Sequence, residues 1–149
     1  MTADLMTFSK VFLRQFSQFI VFKVITMTCK TSESFLRHAQ KKYNAAKVVI
    51  NTFKLSLDEN PTHVLTWADS AFAAGAEVQV YGDIIASLKD HKVPLRDVSE
   101  GLRDSMIYGA SCVSNHSTST SKNYMNECIL AVSAAAYRDM LTYIEAQKD

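Results

Sequence analysis

The clearest pattern in the chain is an apolar stripe with helical spacing between residues 34 and 57. Its members recur at alternating steps of three and four residues: Leu36, Ala39, Tyr43, Ala46, Ile50, Phe53 and Leu57. This heptad spacing, sustained for three repeats, predicts a helix about 36 Å long at roughly 1.5 Å per residue. Thr31, Ser32 and Ser34 are its candidate N-cap residues.

A second stripe follows a sharp boundary at residues 58–61, Asp-Glu-Asn-Pro. Asn60 suits an N-cap, and Pro61 suits the first helical position, where a missing N–H costs nothing. The second stripe again alternates steps of three and four: Val64, Trp67, Ala71, Ala74, Val78, Tyr81, Ile85 and Leu88. Because the connection is short, we predict that helices 34–57 and 61–89 fold back as an antiparallel hairpin.

Two more helices are predicted beyond a break at residues 91–94. The first is shorter and contains Gly101 and Gly109, and its stripe comprises Leu95, Val98, Leu102, Met106 and Ala110. A hydroxyl-rich stretch at 114–123 predicts a loop, and the last helix spans about 124–146. The sequence therefore predicts an all-α antiparallel bundle of about four long helices plus an N-terminal amphipathic segment. A globin-like or orthogonal α-fold is the alternative.

The N-terminal segment, residues 1–30, differs from the bundle domain predicted for residues 31–149. Four phenylalanines recur there at helical spacing, and four basic residues stand against Asp4 alone. Three interpretations compete: an arm or helix that covers the core, a mitochondrial-type targeting segment, and a membrane-associated segment. Met27 is also a candidate internal start.

Small residues form a stripe along the second predicted helix. Ala68, Gly75 and Gly82 lie seven residues apart, next to Ala71 and Ala74. Glycine inside a helix costs about 1 kcal/mol relative to alanine, so close packing should offset that cost. Close packing within the chain is one explanation, and a groove for a partner helix or a flat ligand is the other.

Candidate chemistry is sparse. Cys112, His116 and Cys128 are weak candidates for a zinc site or an activated thiol, because Cys112 and His116 are four residues apart. The sequence contains no Glu-x-x-His pair, His-Glu-x-x-His motif or Gly-x-Ser-x-Gly elbow. We therefore expect no cofactor and no metal, and we favour a non-catalytic role.

The function favoured by these patterns is contact with other proteins. A net charge of +1 provides no field for nucleic-acid binding. We predict an assembly or accessory subunit, of the kind found among small viral proteins, that binds a protein partner or a second copy. The alternatives are a bundle that binds a small apolar ligand or pigment, and a small enzyme that uses Cys112 and His116. An odd count of three cysteines favours an intracellular setting, cytoplasmic or mitochondrial, with membrane contact only through residues 1–30.

Overall fold

The computed structural model of the chain describes the backbone of residues 3–90, 93–114 and 121–146. It describes the side chains of residues 31–64, 67–89, 93–112 and 124–146. Four α-helices make up the fold: α1 (Ala3–Glu59), α2 (Val64–Asp90), α3 (Leu95–Ser114) and α4 (Ser121–Glu145). No strand occurs in these ranges, and the predicted all-α bundle is confirmed.

The connection between α1 and α2 follows the cap that the sequence predicts. Asn60 is extended, with φ −150° and ψ 103°, and Pro61–His63 form one turn of 3₁₀ helix before α2. The Asn60 Oδ1 atom accepts hydrogen bonds from the Thr62 N–H at 3.1 Å and from the Thr62 hydroxyl at 2.7 Å. The cap thereby satisfies a backbone donor that the start of a helix would leave unpaired.

The start of α1 differs from the prediction. The helix continues without a break from Ala3 through Thr31, Ser32 and Ser34, so the N-cap assignment of these three residues is wrong. A helix that has already formed gains one hydrogen bond for each added residue, and this gain outweighs the local preference of hydroxyl side chains for caps.

The role of residues 1–30 stays a prediction, because their side chains lie outside the described residues. The same holds for Met27 as a start and for a domain boundary after residue 30, a position that falls inside α1. Within the part of the chain that is described, no helix combines the length and apolar content that a membrane crossing requires.

The later connections agree with the predicted breaks. Helix α2 ends at Asp90 and α3 begins at Leu95, on either side of the break at residues 91–94. The predicted loop at 114–123 is shorter than expected, because Ser114 ends α3 and Ser121 begins α4. The intervening residues lie outside the described ranges.

The four helices pack as two hairpins. Helix α1 packs mainly on α2, α3 packs mainly on α4, and the hairpins meet through α2 and α4. These two central helices run in the same direction: Gly75 lies beside Met125, and further along Ile84 shares a groove with Ile129. Helices α1 and α3 therefore lie at the outer sides of the bundle, where each keeps a face that no other described helix covers extensively.

The core draws on all four helices. Phe35 and Met140 are its largest fully buried side chains, and Phe35 also meets Tyr143 edge to face with ring centroids 5.3 Å apart. The buried cluster consists of Phe35, Ala39, Val80, Tyr81, Ile84, Leu88, Leu95, Ala136 and Met140. Burial of these apolar groups supplies the main driving force for folding.

The predicted stripe of α2 is exposed at its start. Val64 and Trp67 are 42% and 44% exposed, although their spacing places them with the buried residues. Helix α4 begins at Ser121, and Tyr124 in its first turn already packs on Phe72 with ring centroids 5.6 Å apart. The first turn of α2 therefore lies at the end of the bundle, where α4 does not cover it.

Candidate interaction surface

Helix α1 carries a second apolar stripe that the chain itself does not cover. Ala45, Val48, Thr52 and Leu55 follow one another at steps of three, four and three residues, and all four are exposed. We call these four residues the outer stripe. Val48 and Leu55 are 64% and 65% exposed, so most of the surface of these two aligned aliphatic side chains is in contact with water.

The outer stripe lies on the side of α1 away from the core. Since successive residues turn by about 100° around a helix, these positions project roughly opposite to the buried Ala39 and Ala46. The Thr52 hydroxyl donates to the Val48 carbonyl at 2.9 Å, so this side chain adds no unpaired donor to the surface. Helix α1 is thus apolar on two faces, of which α2 covers one.

Charged residues of opposite sign end the outer stripe. Lys41 lies four residues before Ala45, and Glu59 lies four residues after Leu55, so both continue the spacing of the stripe. Both side chains are exposed. The surface therefore has a basic end and an acidic end, and this charge pattern distinguishes the two possible directions of a bound helix.

The inner face of α1 is held against α2 by a close approach at Gly82. A Cβ atom added to Gly82 would lie 3.4 Å from Cε2 of Tyr43. The Lys47 Nζ atom lies 4.8 Å from the centroid of the same Tyr43 ring, within the range of a cation–π contact. Because glycine has no side chain, the aromatic ring can pack directly on the backbone of α2.

The predicted small-residue stripe faces other parts of this chain. Gly82 contacts Tyr43 of α1, and a Cβ atom on Gly75 would lie 3.4 Å from Cε of Met125 in α4. The alanines of this stripe are buried or half-buried: Ala68, Ala71 and Ala74. These contacts match the intramolecular explanation for the two glycines. Partner packing at the stripe stays a prediction, and it would require Met125 and Tyr43 to move aside.

A polar pair links α1 to α4 close to the core. The His38 Nε2 atom lies 2.9 Å from Asp139 Oδ2, and both side chains are partly exposed. The His38 ring also packs against the rings of Phe35 and Tyr143, with centroids 5.7 and 5.8 Å away. No local sequence pattern identifies this pair, because 101 residues separate its members.

Tyr81 of α2 lies close to this pair. Burial, together with the nearby carboxylates of Asp139 and Glu77, raises the pKa of the Tyr81 hydroxyl to about 12. The phenol is therefore protonated at neutral pH and cannot serve there as a base. The cluster therefore brings together a histidine of α1, a carboxylate of α4 and a neutral phenol of α2.

The cysteine candidates lie near the other end of the bundle. Cys112 and Cys128 are free thiols, both half-buried. Partial burial raises the pKa of the Tyr124 hydroxyl, and the neighbouring Asp69 carboxylate and Cys128 thiol raise it further. His116 lies outside the described residues, and within them no three metal-binding side chains come together. A chemical role for these cysteines stays a prediction.

Comparisons with protein-family models, with curated proteins and with solved structures found no match to the chain.

Proposed function

We propose that this protein is a non-catalytic assembly module that pairs with a second copy of itself through the outer stripe of α1. The observation that carries the proposal is the pair of strongly exposed aliphatic residues, Val48 and Leu55, one heptad apart. Each square ångström of apolar surface removed from water contributes about 25 cal/mol, so covering this stripe is favourable. A straight helix with the same spacing is the complementary surface, and a second α1 provides it.

An antiparallel arrangement of the two copies best fits the charges. When two stripes are aligned in opposite directions, Val48 of each copy meets Thr52 of the other, and Ala45 meets Leu55. The same alignment places Lys41 beside Glu59 at both ends of the contact. A parallel alignment would instead bring two lysines together at one end and two glutamates together at the other, which is destabilising.

The pairing should be reversible. A single four-residue stripe buries less surface than a standard stable interface, so we expect a dissociation constant that is roughly micromolar or weaker. Such an association is suited to a subunit that assembles at high local concentration, as accessory subunits and small viral proteins do. The intracellular setting expected from the odd cysteine count belongs to the same proposal.

Sedimentation equilibrium of the full chain tests the proposal. We expect the weight-average mass to rise from one chain toward two chains as the protein concentration increases through the micromolar range. Val48→Asp places a charge in the stripe and should abolish the rise, because pairing would bury two unpaired carboxylates.

Ile107→Asp is the matched control. Ile107 lies on α3 and is 64% exposed, the same fraction as Val48. The Ile107→Asp substitution should leave the association unchanged, since α3 is not part of the proposed contact. A wild-type mass that stays at one chain at every concentration would overturn the proposal, and so would equal effects of the two substitutions.

A further inference from the structure

A groove between α2, α3 and α4 forms a second candidate site, and none of its lining residues belongs to the outer stripe. Its volume is about 480 Å³, within the range of small-ligand sites. Apolar side chains from all three helices form its floor: Val80, Ile84, Val98, Leu102 and Ile129. Val80 and Ile84 are buried, so the floor is continuous with the core of the bundle.

Gly101 is a second, independent observation that favours a binding role for this groove. Three of the four glycines, Gly75, Gly82 and Gly109, would place a Cβ atom within 4 Å of a neighbouring side chain, whereas Gly101 would meet nothing within 4 Å. Close packing therefore does not explain a helix-weakening residue in the middle of α3. Gly101 lines the groove, and the missing side chain keeps the groove open.

The charged side chains that the structure describes in the groove lining all have one sign. Asp83 of α2 and Asp97 of α3 line it, and the described lining residues include no lysine or arginine. Both aspartates are exposed, and neither has an ion pair among the described residues. Two carboxylates in the lining of a largely apolar groove produce a negative potential, which the low-dielectric wall focuses.

We propose that this groove binds an amphipathic organic cation, in which an ammonium group meets Asp83 and Asp97 and an apolar body covers Val80 and Ile84. The apolar body gains from burial against the floor, and the positive head satisfies the two carboxylates. An anion of the same shape is repelled by the same carboxylates. The site is independent of the proposed self-association.

Three probes of the same chain length test the proposal: decylammonium, decanol and decanoate. The two ionic probes are titrated below their micelle concentrations and decanol below its solubility limit, and binding is followed by amide NMR of the full chain. We expect decylammonium to bind about tenfold more tightly than decanol, with shifts concentrated around Gly101, and decanoate to bind most weakly. Gly101→Leu fills the groove and improves helix propensity, so it should abolish binding while the helical spectrum is kept.

Charge variants distinguish the contribution of the head group to binding from that of the alkyl tail. Neutralising both carboxylates with Asp83→Asn and Asp97→Asn should weaken the binding of decylammonium about tenfold and leave the binding of decanol unchanged. Asp104→Asn is the matched control, since Asp104 is an exposed carboxylate of α3 that does not line the groove. Equal affinity for the three probes, shifts away from Gly101, or no binding of decylammonium would each overturn the proposal.

Discussion

Two leucine-to-alanine substitutions, Leu88→Ala and Leu55→Ala, should have very different effects on stability. Both remove the same atoms, worth about 2.4 kcal/mol of transfer free energy at roughly 0.8 kcal/mol for each carbon. Leu88 is 8% exposed and packs in the core, so nearly all of that energy is lost and a cavity term adds to it. We expect a loss of about 3 kcal/mol. Leu55 is 65% exposed, so we expect a loss below about 1 kcal/mol, which the better helix propensity of alanine partly offsets.

Urea denaturation followed by far-ultraviolet circular dichroism measures both free energies of unfolding. The protein should be kept at low concentration, so that the proposed association of α1 does not contribute to the stability of the Leu55 variant. Equal losses for the two variants, or a larger loss at Leu55, would refute the assignment of the inner and outer faces of the bundle. A changed slope with urea would indicate a loss of two-state unfolding and would require a second probe.

Three further predictions concern particular side chains. A double-mutant cycle of His38→Ala and Asp139→Ala should give a coupling energy of about 0.5–1 kcal/mol, and a value of zero would show that the pair does not stabilise the fold. The pKa of Tyr81 rises from 10.0 to about 12 on folding. Its contribution to the free energy of unfolding is therefore complete below pH 10 and is lost as the pH approaches 12. Tyr81→Phe should remove that part of the alkaline loss of stability, and an unchanged alkaline slope in a pH series of urea melts would contradict the assignment. Gly101→Ala should stabilise the protein by about 1 kcal/mol in thermal or urea melts, because its Cβ atom enters open space. Gly109→Ala should increase the stability less, since its Cβ atom would lie 2.8 Å from Cδ2 of Leu130. Equal increases in stability for the two variants would argue against the packing of α3 on α4.

Local signals in the sequence predicted much of this fold. The cap at Asn60, followed by Pro61, is a short-range hydrogen-bonding pattern, so its chemistry can be identified without knowledge of the tertiary structure. The apolar stripes likewise identified the helices, because spacing by three and four depends only on helix geometry. The same local reasoning failed at Thr31, where a hydroxyl residue suited to a cap lies within a continuing helix.

Features that depend on several helices could not be predicted in this way. The outer stripe has the same spacing as the inner one, and only the packing of α1 mainly on α2 shows which of them remains exposed. Phe35 is fully buried but does not belong to the predicted stripe, because α4 approaches α1 from a different side and contributes Tyr143. Asp83 and Asp97 come to one groove only through the placement of α3.

A charge-swap series measured by sedimentation equilibrium at low salt tests the antiparallel pairing of α1 most directly. Lys41→Glu and Glu59→Lys each replace two attractive contacts of the proposed pair with two repulsive ones, so each should raise the dissociation constant about tenfold. The double variant restores opposite charges at both ends, and it should return to within about threefold of the wild type. Equal association of all four proteins, or a double variant weaker than either single one, would contradict antiparallel pairing through the outer stripe.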